Sequence, residues 1–121
     1  MKKMRKYKFS YDADNDALFI YHPRSRSKGG VECGQMIIDF NNKKEFVGIQ
    51  LIGASGIIKD LLGEKQSVDE VLSNLIDCRI SEQRRGNMLL LRIVLSSKKK
   101  EIAPVLLIPS ILESSPALAF A

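Results

Sequence analysis

YDADNDALFI, residues 11–20, is the stretch that decides the fold, because it places a turn between two strand patterns. Four of the five residues at 12–16 are Asp or Asn, whose side chains hydrogen-bond local backbone amides in turns. Polar and apolar residues alternate over 6–11, and residues 17–22 resume a strand-like composition. The stretch therefore predicts a β-hairpin near the start of the chain.

Further strand patterns complete a predicted meander in the first half. Residues 24–30 are rich in Ser, Gly and Arg and predict a loop. We expect a third strand over 32–40 and a fourth over 45–52, which makes a four-stranded antiparallel meander. Gly48 is unfavourable inside a strand, so it predicts a bulge or a close approach by a neighbouring group.

A period of 3.6 residues replaces the strand pattern after the fourth strand. Ser55 is a candidate N-cap for a first helix, and Gly63 is placed to end it. A capping-box pattern at 67–70 predicts the start of a second helix. The residues expected to be buried are Ile57, Ile58, Leu61 and Leu62 in the first helix, and Val68, Val71, Leu72, Leu75 and Ile76 in the second.

Strand patterns return in the last third of the chain. We expect strands over 78–83, 88–96 and 102–108, which form a second meander that extends or covers the first sheet. Consecutive apolar residues at 88–91 predict that the middle strand is covered on both faces. The tail 109–121 is apolar, so it should dock on its own domain or on a neighbour.

The expected fold class is α+β in a single domain, because 121 residues with 45% hydrophobic content supply one modest core. Its parts are a meander with a helix start over 6–59, a helix with the second meander over 64–108, and the tail. Two cysteines 45 positions apart fit neither a disulfide framework nor a zinc motif, which indicates reduced thiols in a cytoplasmic protein. The longest apolar run, 102–112, is too short to span a bilayer, and we expect no membrane contact.

Three runs in the first half resemble the domain-of-unknown-function 2283 family: YDADNDALFI at 11–20, IDFN at 38–41 and FVGIQLIGAS at 46–55. The resemblance covers about residues 7–59, and the rest of the chain departs from the short members of the family. It implies a small prokaryotic protein without an established activity. Because some members are encoded beside small toxin-like proteins, the resemblance also implies an antitoxin-like role as a specific version of a protein-interaction function.

The net charge of +5 lies in the N-terminal quarter of the chain, where residues 1–30 hold eight Lys or Arg against three Asp. Residues 31–121 hold eleven of each sign. Basic clusters bind phosphate or an acidic partner, or they form a solvated tail that keeps a small protein in solution. The candidate contacts for nucleic acid or an acidic partner are Lys2, Lys3, Arg5, Lys6, Lys8, Arg24, Arg26 and Lys28.

The sequence carries no recognisable motif for catalysis or cofactor binding. The acidic turn begins like a calcium loop, but Ala17 and Pro23 stand where an EF-hand needs Gly and Glu. His22 is the single histidine, which excludes a multi-histidine metal site, and a nucleophilic Cys33 or Cys78 would need it as a base. Neither a phosphate-binding glycine loop nor a nucleophile elbow occurs. We therefore expect no enzyme, no cofactor and no metal site.

Two functional hypotheses follow from these patterns. The leading one is a non-enzymatic cytoplasmic protein-interaction module that forms a homodimer, since the apolar residues of 88–95 and of the tail exceed what one small domain buries. The alternative is nucleic-acid binding through the basic N-terminal third. Its aromatic residues either stack on bases or form a sheet core, and they are Tyr7, Phe9, Tyr11, Phe19 and Tyr21.

Overall fold

The computed structural model describes residues 4–24, 29–63 and 67–109. Strands account for most of this part of the chain, and two short helices separate the strands of the first half from those of the second. The elements are β1 (Arg5–Lys6), β2 (Lys8–Asp12), β3 (Ala17–Tyr21), β4 (Gly29–Cys33), β5 (Met36–Phe40), β6 (Phe46–Ile52), α1 (Ala54–Leu62), α2 (Val68–Ser73), β7 (Asp77–Arg85), β8 (Met88–Ser96), β9 (Glu101–Ile102) and β10 (Val105–Pro109). The predicted α+β class is confirmed.

The first sheet is antiparallel and has the strand order β2-β3-β6-β5-β4. The hairpin predicted around residues 11–20 is confirmed as β2 and β3, with Asp12 opposite Ala17. The prediction of one strand over 32–40 is wrong. Gly34 adopts a left-handed φ of 65° there and turns the chain between β4 and β5, a conformation that costs glycine little. The sheet consequently has five strands where four were expected, and β6 lies beside β3 in Greek-key order.

A β-bulge interrupts the pairing of β5 with β6. Asp39 lies opposite Gly48, but Phe40 lies opposite Phe46, so one residue of β6 is unpaired. A Cβ atom on Gly48 would lie 2.7 Å from the carbonyl oxygen of Ile20 on the neighbouring strand. Both parts of the prediction for Gly48, the bulge and the close approach, are confirmed.

The N-terminal strand pattern divides between two sheets at Tyr7. One strand was predicted over 6–11, whereas β1 pairs with β7 in the second sheet and β2 pairs with β3 in the first. The Tyr7 amide donates to the Cys78 carbonyl at 2.9 Å, and the Tyr7 ring is buried. This residue therefore links the two sheets.

The second sheet has the order β1-β7-β8-β10, with β9 also paired to β8. Its central hairpin turns at Gly86, which has a φ of 55°. The strand predicted over 102–108 is interrupted at Pro104, because proline has no amide to donate to a ladder. The register against β8 continues across the interruption, with Ile102 opposite Leu95 and Val105 opposite Arg92.

One hydrophobic cluster contains residues of both sheets and both helices, including Leu18, Ile49, Ile58 and Leu95. Cover on both faces was predicted for the middle strand of the second meander. Among the described residues, Leu89 and Leu91 are buried, but Leu90 is only half-buried. Strand β8 is therefore fully covered only on the face that packs against the hydrophobic cluster.

Helix α2 begins where the sequence predicts, whereas α1 begins two residues earlier than predicted, and the caps and burial differ from expectation. Ser67 precedes α2 without a side-chain capping bond, and its hydroxyl accepts a hydrogen bond from the Lys100 ammonium at 2.7 Å. Leu61 and Ile76 were expected in the core and are 45% and 56% exposed. Ile76 does not reach the core because α2 ends at Ser73, so Ile76 lies beyond the helix and no longer follows its periodicity.

Candidate functional site

Asp16, at the tip of the first hairpin, caps the helix α1. Its carboxylate accepts hydrogen bonds from the Ser55 amide at 3.0 Å, the Ser55 hydroxyl at 2.6 Å and the Tyr11 hydroxyl at 2.6 Å. Its main-chain oxygen accepts from the amides of Gly53 and Ala54 at 2.9 and 2.8 Å. Three amides at the start of α1 thus find acceptors on one residue. The prediction that Ser55 is the N-cap is wrong, since Gly53 holds that position.

The electrostatics of this cap favour a charged carboxylate. Burial opposes ionisation of Asp16, but the hydrogen bonds from Ser55 and Tyr11 outweigh it and lower the pKa of Asp16 below its ordinary value. Burial, followed by the hydrogen bond to Asp16, raises the pKa of Tyr11. The hydroxyls of both partners therefore act as donors, and we call Tyr11, Asp16 and Ser55 the hairpin staple.

Within the rest of the acidic turn, side-chain hydrogen bonds join neighbouring residues of the turn. The Asp12 carboxylate accepts from the Asn15 amide at 3.3 Å and from the Asn15 side chain at 2.8 Å, and these bonds lower the pKa of Asp12. Asp14 is exposed. Across residues 4–24, 29–63 and 67–109, no group of three His, Cys, Asp or Glu is arranged to hold a metal ion.

The described basic residues of the N-terminal quarter are divided between the two sheets. Lys2, Lys3, Arg26 and Lys28 lie outside the described residues. Lys6, in β1, lies opposite Arg79 and 3.9 Å from the Asp77 carboxylate in the second sheet. Lys8, in β2, lies opposite Tyr21 in the first sheet. Arg5 and Arg24 are exposed near β7 and after β3, respectively.

His22 and the two cysteines do not assemble a nucleophilic site. The His22 Nδ1 atom accepts from the Arg24 amide at 3.1 Å, and its ring packs edge-on against Tyr7. Both cysteines are free thiols. Burial, with a smaller contribution from Asp77, raises the pKa of Cys78 to about 12, which makes its thiolate inaccessible near neutral pH. Cys33 was expected to be buried and is only half-buried.

The N-terminal aromatic residues divide between the core and the surface. Tyr7 is buried, and Phe9 and Tyr11 pack against the hydrophobic cluster. Phe19 and Tyr21 lie on the outer face of the first sheet, the face away from that cluster, where Tyr21 is 46% exposed. The core interpretation therefore holds for three of the five.

An apolar exposed surface of the described chain lies at the edge of the second sheet. Strand β10 has the sequence VLLIP and carries no charge, and within residues 4–24, 29–63 and 67–109 it pairs with β8 on one side only. The apolar tail predicted to dock, residues 110–121, lies outside the described residues. Leu106 and Ile108 are buried, whereas Leu107 is 61% exposed and lies opposite the half-buried Leu90. We call Met88, Leu90, Val105 and Leu107 the β10 patch. The sequence signal for it was the run of five apolar residues at 105–109, because every second residue of an edge strand faces outward.

A shallow groove of about 470 Å³ lies between the end of α2 and the turn after β8. Its charged side chains belong to one Glu and two Lys, and its apolar lining residues include the exposed Ile76. No nucleophile with a base beside it lines the groove. The lining residues are Glu70, Asn74, Leu75, Ile76, Ser97, Lys98 and Lys99.

Comparison with known proteins places the chain in a family. Residues 8–55 match the family described as "Protein of unknown function (DUF2283)", and this segment runs from β2 through the start of α1, including the hairpin staple. The chain belongs to the DUF2283 family, which confirms the resemblance. A relative from Methanocaldococcus jannaschii, named "Uncharacterized protein MJ0789", is 31% identical over 101 residues, covering 80% of each chain. The likeness thus extends into the second half of the chain.

No solved structure matches this chain. Among the described residues, neither helix has the length and apolar character needed to cross a membrane.

Proposed function

We propose that this protein is a non-enzymatic, cytoplasmic protein-interaction module that forms a twofold homodimer through β10. The observation that carries the proposal is an uncharged edge strand with Leu107 61% exposed. Natural proteins usually protect such edges with charges, bulges or a covering element. Here Pro104 precedes the strand and Pro109 ends it, but the residues between them carry no protecting charge.

A second copy of the chain supplies the backbone hydrogen-bonding partners that this edge lacks. Two β10 strands that pair antiparallel across a twofold axis satisfy each other's free backbone groups and join the two second sheets. The β10 patches of the two copies then lie side by side on one face. Of the charged groups near the patch, Arg92 lies opposite Val105 and is exposed, so it can remain at the rim of the contact.

The narrower parts of the proposal have separate support. The free thiols Cys33 and Cys78 favour a reducing compartment such as the cytoplasm. The support for an antitoxin-like role, with a small toxin-like protein as the partner, is the resemblance of this chain to the family. The groove and the staple give no reason to propose an enzyme.

Light scattering after size exclusion tests the dimer at micromolar concentration. The wild type should give twice the chain mass of 13.6 kDa. Leu107→Glu should give a monomer, because it places a charge in the patch. Leu61→Glu is the matched control, since Leu61 is similarly exposed at 45% but lies on α1, and it should remain a dimer. A monomeric wild type, or a dimer that survives Leu107→Glu, contradicts the proposal.

Nucleic-acid binding is the second candidate, and one observation favours it. Lys8 and the exposed Tyr21 are direct neighbours on the outer face of the first sheet, where a base can stack and a phosphate can be contacted. It ranks below the first candidate because the described basic residues belong to different sheets. Its test is the salt dependence of binding, given in the Discussion.

A further inference from the structure

Two exposed turns from different sheets are in contact with each other. The first turn, residues 41–45, joins β5 to β6, and the second joins β7 to β8. The Arg84 guanidinium donates a hydrogen bond to the main-chain oxygen of Lys44 at 3.2 Å, which holds the two turns side by side. The side chains of Lys43, Lys44, Arg84 and Arg85 are all exposed there. We call Lys43, Lys44 and Arg84 the turn cluster.

The first turn is held by Asn41 and gives Lys44 an unusual conformation. The Asn41 side chain accepts hydrogen bonds from the amides of Lys43 and Glu45 at 2.9 and 3.0 Å, and the Lys44 amide donates to the Asn41 main-chain oxygen at 3.0 Å. Lys44 has a φ of 64°, in the left-handed region that favours Gly or Asn in short hairpin turns. A lysine at this position therefore lowers the stability of the turn. Residues held in such conformations cluster at functional sites.

The charges around the two turns favour an anion. Within residues 4–24, 29–63 and 67–109, no carboxylate lies within ion-pair distance of the turn cluster or of Arg85. Two acidic residues lie close by in the chain. The Glu45 carboxylate accepts a hydrogen bond from the Asn41 side chain at 3.1 Å, and Glu82 is half-buried. Four exposed cations against two carboxylates leave this surface positive, so it attracts phosphate.

We propose that the turn cluster contacts the phosphate backbone of a nucleic acid. Such contacts need exposed cations and no apolar surface. A protein partner instead needs an apolar interface core, and none of the exposed large hydrophobic residues of the described chain lies in either turn. The inference goes beyond the dimer and deepens the nucleic-acid candidate, on which it rests for the class of ligand, by naming a contact surface outside the N-terminal quarter.

Fluorescence anisotropy of the full-length protein with a labelled single-stranded oligonucleotide provides the test. Replacing both Lys43 and Lys44 by Gln should weaken binding at low salt at least about tenfold and flatten the logarithmic salt slope by about 1.4, since each lost phosphate contact removes about 0.7. Replacing both Lys98 and Lys99 by Gln is the matched control. It removes two exposed lysines from a different turn, and it should leave affinity and slope unchanged.

Lys44→Gly separates the side chain from the turn that carries it. Glycine relieves the left-handed conformation, so the melting temperature should rise. The hydrogen bond from Arg84 is retained, because it ends on the main-chain oxygen of residue 44. Binding of the oligonucleotide should nevertheless weaken several-fold, because one phosphate contact is lost. A variant that is more stable and binds like the wild type would contradict the proposal.

The other outcomes decide both the site and the ligand. Equal losses from the turn pair and the control pair overturn the proposal. So does displacement of the oligonucleotide by poly-glutamate or by inorganic phosphate as effectively as by unlabelled oligonucleotide, at matched ionic strength. Loss of binding with the N-terminal replacements alone overturns the turn cluster and leaves the N-terminal candidate standing. Loss with the turn pair alone does the reverse, so the two failures are distinguishable.

Discussion

The Asp16 carboxylate accepts hydrogen bonds from both the amide and the hydroxyl of Ser55, which lies 39 residues later in the chain. A helix of nine residues is too short to be stable by itself, so its start depends on the hairpin. The two runs that carry the family resemblance at 11–20 and 46–55 are thereby joined through one side chain. Their joint occurrence in the sequence has a structural cause, whatever else they do.

Removal of the staple carboxylate should destabilise the fold. Asp16→Ala deletes three side-chain hydrogen bonds at a helix start, and we expect a loss of about 1–3 kcal/mol in the free energy of unfolding. Urea denaturation monitored by circular dichroism measures it. Asp14→Ala is the control, since Asp14 is an exposed neighbour in the same turn. Equal stability of the two variants would show that the staple contributes nothing.

The same carboxylate should make stability depend on acid pH. The pKa of Asp16 is lower in the folded protein than its ordinary value of 3.8, so the unfolded chain binds the proton more readily. The contribution of Asp16 is therefore complete above the unfolded value and is lost as pH falls through the folded one. Urea midpoints between pH 7 and pH 2 should fall more steeply for the wild type than for Asp16→Asn. Parallel curves would contradict this assignment.

The elements whose signals are local were predictable from the sequence, and the long-range relations were not. The acidic turn, the β7–β8 hairpin and the start of α2 carry their information within a few residues. The division at Tyr7 was missed because alternation continues unbroken through 6–11, although the two halves pair with different sheets. The turn at Gly34 was missed because apolar residues on both sides imitate one long strand.

The candidate functional features were likewise predictable only where their signal is local in the sequence. An apolar excess in the second meander was evident in the sequence, but its location on an edge strand depends on the strand order. The hairpin staple was not foreseen, since Asp16 and Ser55 lie 39 residues apart and only the fold brings them into contact. Asp39 was interpreted as a turn or solvent residue, whereas it lies within β5, opposite Gly48 and next to the β-bulge.

A side chain at Gly48 should be costly. The added Cβ of Gly48→Ala would lie 2.7 Å from the Ile20 carbonyl oxygen, which is main chain and cannot rotate away. We expect a loss of about 1–3 kcal/mol in the free energy of unfolding. Gly56→Ala is the control, because its Cβ meets nothing within 4 Å and alanine favours the helix α1. A melting temperature unaffected by Gly48→Ala would refute the steric explanation.

Salt dependence should decide whether the basic N-terminal quarter binds nucleic acid. If Lys2, Lys3, Arg5, Lys6 and Lys8 contact phosphates, affinity should fall steeply with salt, and replacing all five should flatten the logarithmic slope by up to about five units. Fluorescence anisotropy with a labelled single-stranded oligonucleotide measures this slope. Absence of binding at low ionic strength, or a slope that the replacements leave unchanged, would identify the cluster as a solvated segment.

Hydrogen exchange should reveal the dimer contact at the level of single amides. The Ile93 amide donates to the Pro104 carbonyl at 3.0 Å, which fixes the alternation of hydrogen bonds between β8 and the last strand. Leu106 and Ile108 then bond to β8, and the amides of Val105 and Leu107 face the free edge. In a dimer built on β10, protection of the Val105 and Leu107 amides should rise with protein concentration. Protection of Leu106 and Ile108 should be high throughout, because β8 covers them in the monomer as well. Fast exchange of the two edge amides at concentrations where light scattering shows a dimer would place the contact elsewhere.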